Sequence, residues 1–419
     1  MHISLVGVNH QTAPITIREK ASISSDGISE SLQLLHQYAP HAVLLSTCNR
    51  TEVYAMDNQP TEEACIDFLM AITDVSFANL LPHIYLHQNE TAVEHLFSVA
   101  SGLDSMIVGE FEILGQVGDA LKASEEAGMV NLPLRHIFQS AIRSGRNVRE
   151  ETGISKNALS VSSVAVDLAT RVVGALDGTK IMVIGAGEAG ELVAKVAKER
   201  GAHQIVVANR TYERAATLAE TLDGTAIALD NLAEELCSVN VVVTCAGAPQ
   251  RILDVCHVEE AMDQRSELPL VIIDIAVPRD VEPTVKQIRN VFLYNIDDLT
   301  EVSNLNRKQR EAEIQDAREI TDTEVNKFIS WWQAFEVRPV VSSLMEKAEK
   351  IRRTQLDRTL KKLPPLSDEE RDNLEAMTKS IVTKLLNDPV HLLKSKTNRD
   401  WDYAEIVSEL FRLDLEKGE

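Results

Sequence analysis

A chain of 419 residues is longer than a single hydrophobic core usually organises, so two or three domains are expected. Apolar residues make up 44% of it, but no uninterrupted apolar run reaches membrane-spanning length and Met1-His2-Ile3-Ser4 lacks the basic flank of a secretory signal, so a cytoplasmic protein is expected. With 42 Lys and Arg against 64 Asp and Glu the net charge is −22, which excludes a generally basic nucleic-acid binder and confines any RNA contact to a local patch. The five cysteines (Cys48, Cys65, Cys237, Cys245 and Cys256) are widely spaced and form no CxxC pair, so they indicate reduced thiols, with neither a disulfide framework nor a metal site.

From the start of the chain, strand-like "ISLVGV" is followed by a helical pattern near residues 29–38, strand-like "HAVLLST" and "EVYAM", a second helical pattern near 61–72 and strand-like "HIYLH". The order β-α-β-β-α-β is that of the ferredoxin-like split βαβ. Helical patterns continue from about residue 91 to 175, broken at Gly102, between Gly128 and Pro133, and at Gly153. Within them Arg143, Arg146 and Arg149, preceded by Arg135, recur every three residues and fall roughly on one helical face. That row is either a local RNA contact or an ordinary solvated face.

Between the two middle strands lies "STCNRTE", Ser46 to Glu52. A lone cysteine at a strand end, among polar residues and two positions from Arg50, stands where its thiolate can be stabilised and reached, because nearby positive charge lowers a thiol from its usual pKa of about 8.5. Two readings fit Cys48: a nucleophile, or a free cysteine of a core or turn. Cys245, near the cofactor crevice argued below, is a minor second candidate.

"KIMVIGAGEAGELVAKVAKERG" carries Gly185-x-Gly187-x-x-Gly190 directly after an apolar β-branched run and at the opening of a helical one. In that context the glycines permit a tight turn, close approach of backbone to a pyrophosphate, and close helix–strand packing. The alternative is an ordinary glycine-rich turn. The next strand, "QIVVANRT", ends in Asn209, Arg210 and Thr211 where an NAD-binding protein would place a carboxylate, which favours NADPH over NADH. "VNVVVTCAGAP" and "LPLVIIDIAVPRD" add two continuous apolar runs of the kind buried in a parallel sheet.

Seventeen of the 18 glycines lie at or before Gly247, and no Gly or Pro occurs from Thr284 to Arg338. This predicts one long exposed helix from about residue 297 ending before Pro339, then helical patterns at about 340–361, 367–386 and 402–415. Such a tail on a long arm gains most of its burial from a second copy of the chain.

Several of these stretches together resemble one family: "GVNHQTAP" (Gly7–Pro14), "STCNRTE", "HLFSVASGLDSMIVGE" (His95–Glu110), "ILGQV" (Ile113–Val117), "GAGE", "ANRT" and "DIAVPRDVEP" are similar, in order, to the glutamyl-tRNA reductase family. The resemblance implies NADPH-dependent reduction of glutamyl-tRNA(Glu) to glutamate-1-semialdehyde with release of the tRNA, the first step toward tetrapyrroles, by way of a cysteine thioester. It implies Cys48 as nucleophile, His95 as an acid/base or orienting residue, Arg50 and Glu52 as holders of the glutamyl group, and Asn9, Thr47, Asn49, Ser105, Glu110 and Gln116 as lining of the same pocket. For His95, a histidine on a packed helix face stays open. Gly185, Ala186, Gly187, Glu188, Ala189 and Gly190, with Asn209, Arg210 and Thr211, would hold NADPH.

The expected fold is multidomain α+β and α/β: a ferredoxin-like substrate domain with added helices (1–150), a linker (151–165), a Rossmann-type NADPH domain (166–296), a long spinal helix (297–338) and a helical dimerisation domain (339–419). A homodimer, charged tRNA(Glu) and a glutamate-1-semialdehyde aminomutase are the implied partners. Hinges are expected near Ser155–Ser163 and Asn295–Leu299, because hydride transfer requires the two domains to meet. One departure is Phe111-Glu112, where the family commonly carries a proline after the Gly-Glu pair. A shikimate-dehydrogenase-like enzyme and a non-enzymatic scaffold are the rival readings; neither has a use for Cys48.

Overall fold

In the computed structural model, residues 2–154, 160–248, 250–265, 268–299, 311–395 and 403–413 are described. The first of the expected hinges lies partly outside them, as does the start of the long helix. The chain divides into two units, Met1–Val325 and Asn326–Glu419.

The first unit opens with four strands, β1 (His2–Asn9), β2 (Ala42–Ser46), β3 (Arg50–Asp57) and β4 (Tyr85–Gln88), in the order β2-β3-β1-β4, with every neighbouring pair antiparallel. Between them run α1 (Ile15–Ala21), α2 (Ile28–Leu35), α3 (Glu62–Thr73) and the short α4 (Phe77–Leu80), which yields the ferredoxin-like order. Helix α1 is not visible in the sequence pattern, since seven residues are too few to show a period. Alternation along β3 decides what each sheet face must bury. Val53 and Ala55 join Val6, Val8, Leu44, Phe68 and Leu69 in an apolar core, while Arg50, Glu52 and Tyr54 point the other way. That second face is covered by α5 (Glu90–Ala100), α6 (Glu112–Glu126) and α7 (Leu132–Glu151), and Tyr54 meets Phe138 of α7 edge to face with ring centroids 5.3 Å apart. Gly145 lets α5 and α7 approach, because a Cβ there would collide with the Ala100 carbonyl.

Helix α8 (Val161–Val173) leads into a six-stranded parallel sheet of β5 (Lys180–Ile184), β6 (Gln204–Asn209), β7 (Thr225–Ala228), β8 (Val241–Thr244), β9 (Leu270–Asp274) and β10 (Val291–Asn295). Its order, β10-β9-β8-β5-β6-β7, reverses direction at β5, and helices α9 (Glu188–Glu199), α10 (Tyr212–Thr221), α11 (Leu232–Leu236) and α12 (Val255–Gln264) connect the strands. This is the doubly wound dinucleotide fold, with the ligand crevice at the carboxyl ends of β5 and β8. Asn295–Asp298 is a capped turn with Ile296 and Leu299 fully buried in the sheet's core. The second expected hinge falls on this capped turn.

A 50-residue helix, α13 (Glu311–Leu360), begins in the first unit, where Ile314 and Ala317 pack on Val148 and Ile154. It runs through Pro339, where the sequence predicts its end. A proline removes one donor and crowds one carbonyl, and the turns on both sides supply enough bonds to carry the helix across it. In the second unit α14 (Asp368–Ser395) likewise continues past Pro389, and α15 (Tyr403–Phe411) follows. No single helix among the described residues is long and apolar enough to cross a membrane.

Candidate active site

The register of β1 on β3 places Gly7 opposite Glu52 and Asn9 opposite Arg50. Gly7 is required there: a Cβ would lie 2.8 Å from the Glu52 side chain and 3.1 Å from the Tyr85 ring. The space holds a carboxylate at 0% exposure whose oxygens accept from Arg50 Nη1 (2.6 Å), the Tyr54 hydroxyl (2.6 Å) and the Tyr85 hydroxyl. His95 Nε2 on α5 lies 2.9 Å from the same carboxylate. Burial alone would raise the Glu52 carboxyl, but Arg50 and His95 outweigh it and hold the group well below the usual carboxylate range. Arg50 also donates to the Asp104 carbonyl (2.6 Å) and carboxylate (2.9 Å). Burial disfavours its charge, yet Glu52, Tyr85 and Asp104 together hold it firmly protonated. His95 stacks on His87 at 5.1 Å.

Cys48 sits in the three-residue turn between β2 and β3. Thr47 builds that turn: its N–H donates to the Arg50 carbonyl (2.8 Å), and its hydroxyl accepts from the Asn49 and Arg50 N–H groups. Asn49 is buried, and its side-chain oxygen has no hydrogen-bond partner among the described residues. Asn9 closes the adjoining loop, its Oδ1 accepting from the Gln11 and Thr12 N–H groups at 2.9 and 3.0 Å. Burial pushes the Cys48 thiol up to about 12, and Glu110 and Glu112 push the same way. The charge that favours its thiolate is not that of Arg50, which is engaged by Glu52 and Asp104, but that of Arg18 on α1, whose Nη1 donates to the Cys48 carbonyl at 3.1 Å.

Burial likewise lifts Glu110 to about 7, against the pull of the Ser105 hydroxyl. Glu112 is raised by burial and by Glu188 of the glycine loop, and its buried Oε1 has no partner among the described residues. Gln116 lies one turn further along α6, half-buried. Phe111, the departure noted in the sequence, is exposed. The arginine row does not form one free face, because Arg149 turns inward to bond the carbonyls of Ala100, Gly145 and Glu110. Arg135 pairs with Glu125, while Arg143 and Arg146 stay exposed.

The glycine loop fits a dinucleotide. Gly185 has φ of +116°, a Cβ at Gly190 would collide with the Gly185 carbonyl, and at Gly187 nothing stands within 4 Å of an added Cβ. Ala186, exposed Glu188 and half-buried Ala189 complete the turn into α9. Asn209 bridges the two loops, accepting from the Ala186 N–H (3.2 Å) and donating to the Thr211 carbonyl (3.0 Å), beside exposed Arg210. Two aspartates brace the other side of the crevice. Asp280 accepts from the N–H groups of Ala246 and Ala248, and Asp274 from the Thr244 hydroxyl and the N–H groups of Ala276 and Val281. Gly190→Ala is expected to weaken NADPH binding at least about tenfold, read by nicotinamide fluorescence titration, because the helix must move off the strand.

The structure thus gathers Arg50, Glu52 and His95 into one network and Cys48, Ser105 and Glu110 beside it. Asn9 and Thr47 are tied up in shaping loops. Sequence reasoning missed Tyr85, Asp104 and Arg18. Tyr85 and Asp104 lie within or beside stretches already singled out, whereas nothing near Arg18 signals its role.

A doubly wound dinucleotide domain set against a domain that carries a thiol and a buried Arg–Glu–His network defines a dinucleotide-dependent oxidoreductase. Residues 6–152 match the model of the glutamyl-tRNA(Glu) reductase N-terminal domain, 167–302 that of shikimate/quinate 5-dehydrogenase and 316–413 that of the glutamyl-tRNA(Glu) reductase dimerisation domain. The glutamyl-tRNA reductase of Natranaerobius thermophilus is 39% identical over 99% of this chain and 93% of its own, and that of Magnetococcus marinus 38% identical over 99% and 100%. The solved glutamyl-tRNA reductase of Methanopyrus kandleri, 35% identical, covers 98% of both chains with a TM-score of 0.52. The chain belongs to the glutamyl-tRNA reductase family.

Proposed function

We propose that this protein reduces the glutamyl ester of tRNA(Glu) to glutamate-1-semialdehyde with NADPH, as a homodimer, and that Cys48 carries the glutamyl group as a thioester. One observation supports the cysteine most: Cys48 packs against the same apolar cluster as Ala186 of the glycine loop and Val277 of the β9 loop. Glu110, lifted to about 7 and close enough for its charge to raise the thiol, is the carboxyl we assign to take its proton. The sulfur then bonds to the acyl carbon, the ester C–O bond breaks, and the ribose hydroxyl leaves with a proton. NADPH, when bound, would supply the hydride that replaces the C–S bond with C–H, and Cys48 would leave as a thiolate that takes a proton from solvent. Arg50, fixed by Glu52 and Asp104, and His95, fixed by Glu52, shape the pocket for the glutamyl group.

The exposed apolar side chains Ile351, Met377, Ile381, Leu385 and Leu410 in the second unit support the dimer. The exposed Arg143 and Arg146 support a tRNA contact on α7. Five free cysteines suit a cytoplasmic site, and a reactive α-amino aldehyde suits direct transfer to an aminomutase. A small-molecule dehydrogenase accounts only for residues 167–302. The test is product analysis with glutamyl-tRNA: semialdehyde is expected with NADPH and slow release of glutamate without it. No turnover of glutamyl-tRNA under either condition would contradict the reading.

A further inference from the structure

The sequence offers no role for Arg18, yet its side chain is among the most enclosed charges in the first unit, at 3% exposure. It stands in α1 with Ile15 and Ala21 buried on either side, so its root is fixed. Its guanidinium has three directions. Nε donates to the Ala13 carbonyl (3.2 Å), Nη1 to the Cys48 carbonyl (3.1 Å), and Nη2 pairs with the Asp297 carboxylate. Asp297 is itself held: its N–H donates to Asn295 Oδ1 (2.7 Å), the Asn295 N–H donates to Asp298 Oδ2 (2.7 Å), and the adjoining Ile296 and Leu299 are at 0% exposure in the dinucleotide core. One side chain thus ties the turn bearing Cys48 to the end of the dinucleotide domain. The same seam carries a two-bond ion pair, Arg279 to Glu19 at 2.8 Å each, and a bond from the Ser22 hydroxyl to the Val277 carbonyl (3.3 Å).

We propose that Arg18 is a positioning residue that, through Asp297, latches the nucleophile's turn onto the dinucleotide domain and so sets whether an acyl group on Cys48 is reduced or lost to water. The proposal rests on the thioester reading above. Reduction requires the acyl carbon within about 3–3.5 Å of the donor, whereas hydrolysis requires only water. A loosened seam therefore penalises the first and favours the second. Asp297, with 41% side-chain exposure, is the member to change, because water can reach the vacated guanidinium and the fold keeps its buried groups.

The experiment uses the full-length protein as wild type, Asp297→Ala and Asp297→Glu. In the free protein, iodoacetamide labelling of the Cys48 peptide is followed by mass spectrometry; with glutamyl-tRNA and limiting NADPH, the ratio of semialdehyde to glutamate is measured. For Asp297→Ala we expect labelling about fivefold faster and a ratio about fivefold lower, with Asp297→Glu restoring most of both. Unchanged labelling and an unchanged ratio overturn the latch. Should wild type carry no glutamyl group on Cys48 without NADPH, the thioester reading fails and the partition with it; should it carry one yet release no glutamate, the partition alone fails, and in either case the labelling rates still decide whether Asp297 ties down the Cys48 turn.

Discussion

Replacing Glu52 with alanine is expected to destabilise the protein by about 3–5 kcal/mol, the range for removing one partner of a buried ion pair and leaving the other uncompensated. Arg50 would keep Asp104, but His95, Tyr54 and Tyr85 would lose their common acceptor. Each orphaned buried donor adds its own desolvation cost. The sign with pH follows from the direction of the shift. Glu52 is held below the usual carboxylate range, so its contribution is present above the unfolded value of about 4.3 and is lost as pH falls through the folded one. The deficit of the variant should therefore stay constant from pH 7 to about 5 and narrow as pH is lowered from about 4.3 toward 3, and urea unfolding across that range measures it. A deficit below about 1 kcal/mol at pH 7, or one indifferent to pH, would show that the network stores little stability.

The second large effect is at Cys48. Cys48→Ala is expected to lower semialdehyde formation by at least about 10⁴-fold while leaving the unfolding midpoint nearly unchanged, since a nucleophile's role has no substitute and the truncation removes one small atom from a turn residue of intermediate exposure. The free thiol should also be sluggish. Held up at about 12, it is almost wholly protonated near neutrality, so its alkylation should rise about tenfold per pH unit between 7 and 10 without a plateau. The neutral thiol is the form the fold prefers; that preference favours the folded state below the usual thiol value of about 8.5 and fades as pH climbs past it. A plateau below pH 9 would mean that Arg18 outweighs burial and the two carboxylates.

The strands and the glycine loop were legible because their signals are local: alternation in "ISLVGV" and "EVYAM", a β-branched run before Gly185, a cysteine among polar residues. The partners of Glu52 were not, because they depend on register. Nothing in "HIYLH" tells which way Tyr85 points until β4 pairs with β1, and Asp104 reaches Arg50 across 54 positions. Proximity in sequence also misled. Arg50, two residues from Cys48, serves Glu52 and Asp104 on the sheet face, while the cation beside the thiol comes from Arg18, 30 positions away. Arg149 follows the spacing of an exposed row, but a chain of its length reaches back over the helix to unsatisfied carbonyls. Pro339 signals a helix end in the sequence, yet the helix carries on across it because the bonds of the flanking turns outweigh the one that proline removes.

The central claim, an acyl group carried on Cys48, is tested most directly by mixing the protein with glutamyl-tRNA in the absence of NADPH, quenching in acid and weighing the Cys48 peptide. The account predicts a glutamyl adduct on that peptide alone, absent from Cys48→Ala and discharged as semialdehyde when NADPH is added before the quench. Semialdehyde formed by the Cys48→Ala variant, or full turnover by wild type with no adduct at any time point, would contradict it.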